Sequence, residues 1–482
     1  MTLTRRPTLP RAAGLTPLAL ALALGFAASA AQAQSLKELY EAARGYDATY
    51  LSARALADSA QYRADQAGAL RLPTVGLQAS STLLRAEQDA EQTSLRELDS
   101  PPAPPNTFVK VTAPSTTETR TTNNQVVLSA QQSLFNRANS VTIEQSERAV
   151  TIAQAQLRSA EQDLIVRLSQ AYFDVLGAQD TLNTVQASKK AISEQLASAK
   201  RNFEVGTATI TDTREAQARY DLSLAQELAA DNDLRVKRLA LDQLVGRSNA
   251  TPRPLALPVV LPPVAPANVD DWVTGAETRS PTIQQAQLGL EVAKLETEKA
   301  RAGHLPTLGL GASYTRTYPS GTSETTSNGA FVSSSRAGNS NSAALALTLN
   351  VPLFAGFSVQ NRIKETLSLE EKARNDLDAA RRGVSQGTRT AFYGVQSGQA
   401  QVKALEAAES SSKLALEATQ LGYKVGVRVN LDVLNAQTQL YTTQRDLAKA
   451  RYDVIVNSLK LRQVSGQLQP EDLQATDALL AP

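Results

Sequence analysis

The sequence predicts a mainly α-helical chain that also carries transmembrane β-strands: two copies of one long helical hairpin, with four strands per chain. Three observations predict it. Two proline-free runs, 137–245 and 355–469, place apolar residues at spacings of three and four and are each interrupted by a Val-Gly turn. Short segments near 72–84, 125–135, 305–313 and 344–354 alternate apolar and small polar residues instead. The third is internal repetition, since Leu72-Pro73-Thr74-Val75-Gly76-Leu77-Gln78-Ala79-Ser80 returns as Leu305-Pro306-Thr307-Leu308-Gly309-Leu310-Gly311-Ala312-Ser313 with seven of nine positions identical.

Composition narrows the function. In 482 residues only 5% are aromatic, so an Ala- and Leu-rich helical assembly fits better than a compact globule. There is no cysteine and one histidine, His304, which excludes thiol chemistry and disfavours a catalytic or multi-His metal site. His304 precedes the Leu305-Pro306 strand start and suits a packing role better than a ligand role. No Ser/His/Asp set, phosphate loop or metal constellation stands out, so no catalytic residue, metal or cofactor is expected, and the chain reads as a non-enzyme. The net charge is +2; removal of an N-terminal segment holding Arg5, Arg6 and Arg11 leaves about −1, unlike a nucleic-acid binder.

In chain order, residues 1–33 read as a secretory signal peptide, with a basic start, an apolar stretch from Leu15 to Ala28 and Ala31-Gln32-Ala33 as the cleavage site. Residues 34–246 form the first repeat: an Ala-rich helical stretch from Ser35 to Arg71, a strand over 72–84, a solvated loop over 86–123 containing Pro101, Pro102, Pro104 and Pro105, a strand from Gln125 to Phe135, and the long hairpin. Its first arm of about 65 residues would be about 100 Å long as one helix, a length that needs lateral partners. Residues 247–279 read as a proline-rich linker with a small packed patch anchored by Trp272. Residues 280–466 repeat the programme, with a Gly/Ser/Thr-rich loop at 319–342 and a strand over 344–354 in which Leu345, Leu347, Leu349, Val351 and Leu353 share a face; 467–482 form a C-terminal tail. The two hairpins correspond at a constant shift of 220 positions, and the stripe Ala153, Leu157, Ala160, Leu164, Leu168, Ala171, Val175 answers Ala373, Leu377, Ala380, Val384, Thr388, Ala391, Val395.

Four strands cannot close a barrel, and an open edge in lipid leaves backbone groups unpaired, so other subunits must complete it; a dimer gives eight strands and a trimer twelve. The faces, apolar outside and Gly, Ser, Thr and Gln inside, suit a channel. A passive surface structural or adhesive coiled coil with a β-barrel anchor is the rival reading. Its weakness is the duplication, because two hairpins per chain suit a tube better than a rod.

The order helix, Leu-Pro-x-x-Gly-Leu strand, loop, strand ending in Leu-Phe, long helix with Ala171-Tyr172-Phe173 or Ala391-Phe392-Tyr393, Val-Gly turn and Ala-Gln helix (Ala216-Gln217, Ala436-Gln437) resembles the TolC family of bacterial outer-membrane channel proteins, over essentially the whole mature chain. The resemblance implies a homotrimer in the outer-membrane lipid, with a twelve-stranded barrel continued by a periplasmic helical tunnel. It implies docking to a periplasmic adaptor and an inner-membrane transporter, ABC or proton-driven, for efflux or type I secretion of drugs, small molecules or polypeptides.

The turns carry the candidate site. Gly206 and Gly426 supply the tight helix-to-helix turn, and Asp212 with Glu215 three residues on reads as an N-terminal capping pattern. Arg428, a cation beside acidic helix starts, can pair with carboxylates of a neighbouring hairpin, and such partly exposed pairs are weak enough to adjust. The resemblance implies a periplasmic gate of Thr211, Asp212, Tyr423 and Arg428 and a tunnel acidic ring at Asp432. The second ring position is Asn435 where the family pattern has Asp, which implies a weaker field for cations.

Overall fold

The computed structural model describes residues 34–97, 108–256, 258–327 and 329–481. The expected signal peptide and the proline cluster at 101–105 lie outside the described residues. Two compact units form, one from residues 34–57, 154–286 and 377–481, the other from 58–153 and 287–376.

In the first unit, α1 (Leu36–Tyr46) starts at a capping box in which Ser35 and Glu38 each satisfy the other's backbone N–H, and Asp47 ends it, so the expected single helical stretch breaks into α1 and α2 (Ala48–Gly68). The Asp47 carboxylate takes a bidentate hydrogen bond from Arg167, 3.0 Å on each side, and that guanidinium holds Asp47 below the usual carboxylate range. The long arms follow: α3 (Arg137–Glu204, 68 residues) and α4 (Ile210–Val245). After the linker come α5 (Val269–Arg279) and α6 (Pro281–Arg301), the second pair α7 (Ser358–Lys424, 67 residues) and α8 (Asn430–Val464), and the short α9 (Asp472–Asp477). Every residue of both predicted stripes is buried or half-buried. The main core joins α1, α3, α4, α8 and α9 around Leu39, Leu164, Tyr172, Phe173, Leu241 and Leu473, with the Phe173 and Tyr452 rings stacked at 5.6 Å.

Trp272 is buried against Phe392, Val395 and Leu447 while its indole N–H donates to the Pro266 carbonyl at 2.8 Å. The segment after residue 466 is tied in as well. The Asp477 carboxylate accepts the Leu36 and Lys37 backbone N–H groups at 2.8 and 3.2 Å, placing negative charge at the positive end of α1.

The second unit holds an antiparallel sheet: β1 (Thr74–Glu97), β2 (Phe108–Phe135), β3 (Thr307–Ser327), β4 (Ala330–Ala337) and β5 (Ser340–Asn350). The order is β1-β2-β3, with β4 and β5 pairing successive stretches of the same β3 edge, so the sheet is four strands wide. Register sets Leu77 opposite Leu128 and Leu128 opposite Tyr314, which gathers the apolar positions on one face. That face is bare in the single chain: Leu77 is 72% exposed, Leu83 83% and Leu345 76%.

The strands depart from expectation at their far ends. Residues 86–97 and 108–123, expected as loop, are strand, and so is most of 319–342. The reason is β-branched polar sequence: Thr112, Thr116, Thr117, Thr119, Thr121 and Thr122 favour extended backbone without contributing an apolar face. Polar cross-strand pairs hold these parts together, Thr93 with Thr112 and Thr117 with Thr325 at 3.1 Å each, and Arg85 with Glu118 at 2.8 Å. The last strand is also shifted, ending at Asn350, so that Val351, Leu353 and Phe354 lie outside it. Among the described residues no helix is long and apolar enough to cross a membrane.

Candidate functional site at the hairpin tips

Both hairpins turn by the same bonds. Gly206 at φ +79° and Gly426 at φ +82° sit in the left-handed region that glycine adopts without steric cost. In the first turn the Thr207 and Ala208 N–H groups donate to the Asn202 carbonyl at 2.8 and 3.1 Å; in the second, Val427 and Arg428 donate to the Gly422 carbonyl at 2.9 and 3.2 Å. Asn202 and Gly422 are themselves related by the 220-residue shift.

The helix starts after the turns have diverged. At the first, the cap is Thr209: its hydroxyl accepts the Asp212 N–H at 3.2 Å and the Asp212 carboxylate accepts the Thr209 N–H at 3.0 Å. Asp212 is therefore the third residue of a capping box, not the cap, and Glu215 takes no part in it. The cap lies three residues earlier than the Asp212–Glu215 spacing implied. At the second, the cap position is Val429, which has no side-chain oxygen, and Asp432 uses only its N–H, donating to the Val429 carbonyl at 3.1 Å. Its carboxylate is left for Arg428, 3.6 Å away and four residues before it. The duplicated aspartates thus do different work: Asp212 secures a helix end, and Asp432 faces a guanidinium.

Of the four predicted gate residues, none bonds to another within one chain. The Tyr423 hydroxyl accepts from the Asn202 side chain at 3.1 Å, Arg428 pairs with Asp432, Asp212 serves its cap, and Thr211 is exposed. Asn435 accepts from Arg219 of the first hairpin at 3.1 Å, so the position that lacks a carboxylate also holds a cation beside it. The structure adds Gly422, Asn202, Arg219 and Gln195 to the site. A Cβ on Gly422 would come within 2.8 Å of the Arg428 Cγ, which shows the arginine stem lying against that glycine. Gln195 donates to the buried Asn430 side chain at the start of α8. Gly422 was legible as the partner of Asn202 in the repeat; Gln195 and Arg219, ordinary polar residues on long helices, carried no signal of their own. The pairs at this tip are exposed, and exposed ion pairs contribute no more than about 1 kcal/mol each. Such links can be broken and remade. Among the described residues, no group of His, Cys, Asp or Glu is placed to hold a metal.

Comparison with known proteins covers the whole of this arrangement. The outer membrane efflux protein family matches residues 39–247 and 272–467. The outer membrane protein TolC of Vibrio cholerae is 30% identical over 464 residues, 96% of this chain and 98% of that protein. The alkaline protease secretion protein AprF of Pseudomonas aeruginosa is 33% identical over 353 residues, 73% of this chain and 71% of that protein. Among solved structures, the outer-membrane channel OprN superposes with a TM-score of 0.70 at 18% identity, covering 90% of each chain, and VceC of Vibrio cholerae with 0.66 at 20% identity, covering 89% and 96%.

Proposed function

The chain belongs to the outer membrane efflux protein family, as a channel of the cell outer membrane with a periplasmic helical part, and from that premise we propose that it works as a homotrimeric exit duct whose hairpin tips form the gate. The observation that carries the reading is the sheet. It is four strands wide with an apolar face, and neither β1 nor the β4–β5 side has an outer neighbour among the described residues. In hydrocarbon each unpaired backbone group costs several kcal/mol, so such edges must be closed, and three copies close them as a twelve-stranded barrel. The two repeats, 34–246 and 280–466, then contribute two tips per copy and six per trimer.

In this duct the polypeptide or small-molecule cargo arrives from an inner-membrane transporter through a periplasmic adaptor and leaves without chemical change; the protein is not an enzyme. Arg428 and Tyr423 of one copy meet Thr211 and Asp212 of a neighbour or of the same chain when the tips draw together, and Asp432 of three copies forms an acidic ring. The intrachain bonds support this reading by leaving Arg428 and Asp432 exposed enough to exchange partners. Export is the test. Deleting the gene should raise drug susceptibility or abolish secretion of a polypeptide, with full-length protein restoring it; unaltered export of every cargo under every pump in the cell would contradict the duct.

A further inference from the structure

Just behind the tips, α8 packs on the first hairpin through a small apolar cluster: Ile192, Leu196 and Ala199 of α3, Ala216 of α4 and Leu434 of α8, with Tyr220 against it. Two amides interrupt the buried face of α8. Asn430 and Gln437 lie seven residues apart, on either side of Leu434, and are only 3% and 5% exposed. Gln195 satisfies the Asn430 Oδ1, but the Asn430 Nδ2 and the Gln437 Oε1 have no hydrogen-bond partner. A buried amide atom without a partner loses its hydration and gains nothing in return, whereas an apolar side chain of the same shape would add to the packing. The packed seam is therefore weaker than its apolar contacts alone would make it, and any parting that admits water restores the lost hydration.

Asn430 is two residues from both Arg428 and Asp432, so the second tip cannot move away from the first hairpin without parting this seam. We propose that Asn430 and Gln437 are positioning residues of the gate: their unpaired atoms disfavour the packed seam and set how readily the tips separate. The inference rests on the gate reading given above. It differs from the Arg428 contact in kind, because neutral amides are not screened by salt, whereas the exposed ion pair is.

The test is single-channel recording of the full-length protein in planar bilayers. Because the wild-type gate is expected to open rarely, the seam substitutions are placed in the Arg428→Ser background. Gln437→Met keeps the shape and removes the unpaired oxygen, and the pair Gln195→Leu with Asn430→Leu makes the other contact apolar. Each should lower the open probability by about fivefold or more, equally at low and high salt. Gln437→Glu, of the same shape but charged, should raise it, a reversal of sign that general damage to packing does not produce. If Arg428→Ser opens the channel while Gln437→Met leaves the open probability unchanged or raises it, this inference is overturned and the gate stands. If Arg428→Ser and Tyr423→Phe both leave the channel unchanged, the gate reading falls, and the inference with it.

Discussion

Four glycines in left-handed backbone mark equivalent places in the two repeats, and the structure separates what alanine would do at each pair. Gly426 at the tip has open space where a Cβ would go, so Gly426→Ala pays only for the left-handed conformation, about 1–2 kcal/mol. Gly466, at the far end of α8 with φ +70°, is enclosed: a Cβ there would lie 2.5 Å from the Arg279 carbonyl oxygen and 2.7 Å from the Ser280 Cα, both backbone. Backbone cannot swing aside as a side chain can, so Gly466→Ala adds an overpacking cost of about 1–3 kcal/mol to the same conformational one. The two variants are compared in one detergent by the midpoint of loss of helical circular dichroism on heating. Gly466→Ala should lower it clearly more than Gly426→Ala. Equal shifts, or a larger loss at Gly426, would refute the reasoning that packing against the linker, and not the turn alone, makes Gly466 necessary.

Other substitutions probe the charge groups. Asp180 is half-buried, its carboxylate accepts from the Tyr452 hydroxyl at 2.6 Å, and desolvation raises its pKa above the usual value. A carboxyl raised in the folded state makes the fold lose stability as pH rises from the unfolded pKa through the folded one. Asp180→Asn should therefore raise the melting temperature at neutral pH, with the gain fading toward acid; a constant gain or a loss at neutral pH contradicts this. For the acidic ring, Asp432→Asn should reduce cation selectivity, read as a reversal potential in asymmetric salt, more than Asn435→Asp increases it, because Arg219 stands ready to pair with a carboxylate at 435. Equal and opposite shifts would mean that Arg219 does not matter to the ring. Trp272→Ala should destabilise the region around residues 261–272 by about 3–5 kcal/mol, read by local hydrogen exchange, since it empties a buried site and frees the Pro266 carbonyl.

How much was legible depended on whether burial or water decided the local structure. The helical arms were legible because a buried or half-buried stripe runs along the middle of each first arm, from Ala153 to Val175 and again from Ala373 to Val395, and packing writes its period into sequence. The strand stretches nearest the helices were legible because apolar residues alternate with small polar ones there, at Val75, Leu77, Leu345 and Leu347. Their outer extensions were not. Strand there is held by backbone pairing and threonine contacts in water, so no apolar alternation records it, and Thr112 to Thr122 read as a solvated loop. The repeat located both turns but concealed their divergence. Thr209 and Val429 occupy equivalent places, and only the hydrogen bonds show that the first caps its helix while the second leaves the Asp432 carboxylate to Arg428.

The central claim, a duct closed at its hairpin tips, is tested most directly by single-channel conductance of the purified protein in a planar bilayer. The wild type should show small and infrequent openings, and both Arg428→Ser and Tyr423→Phe should raise conductance by loosening the tips. A wild type that is already fully open, or unchanged conductance in both variants, would contradict it.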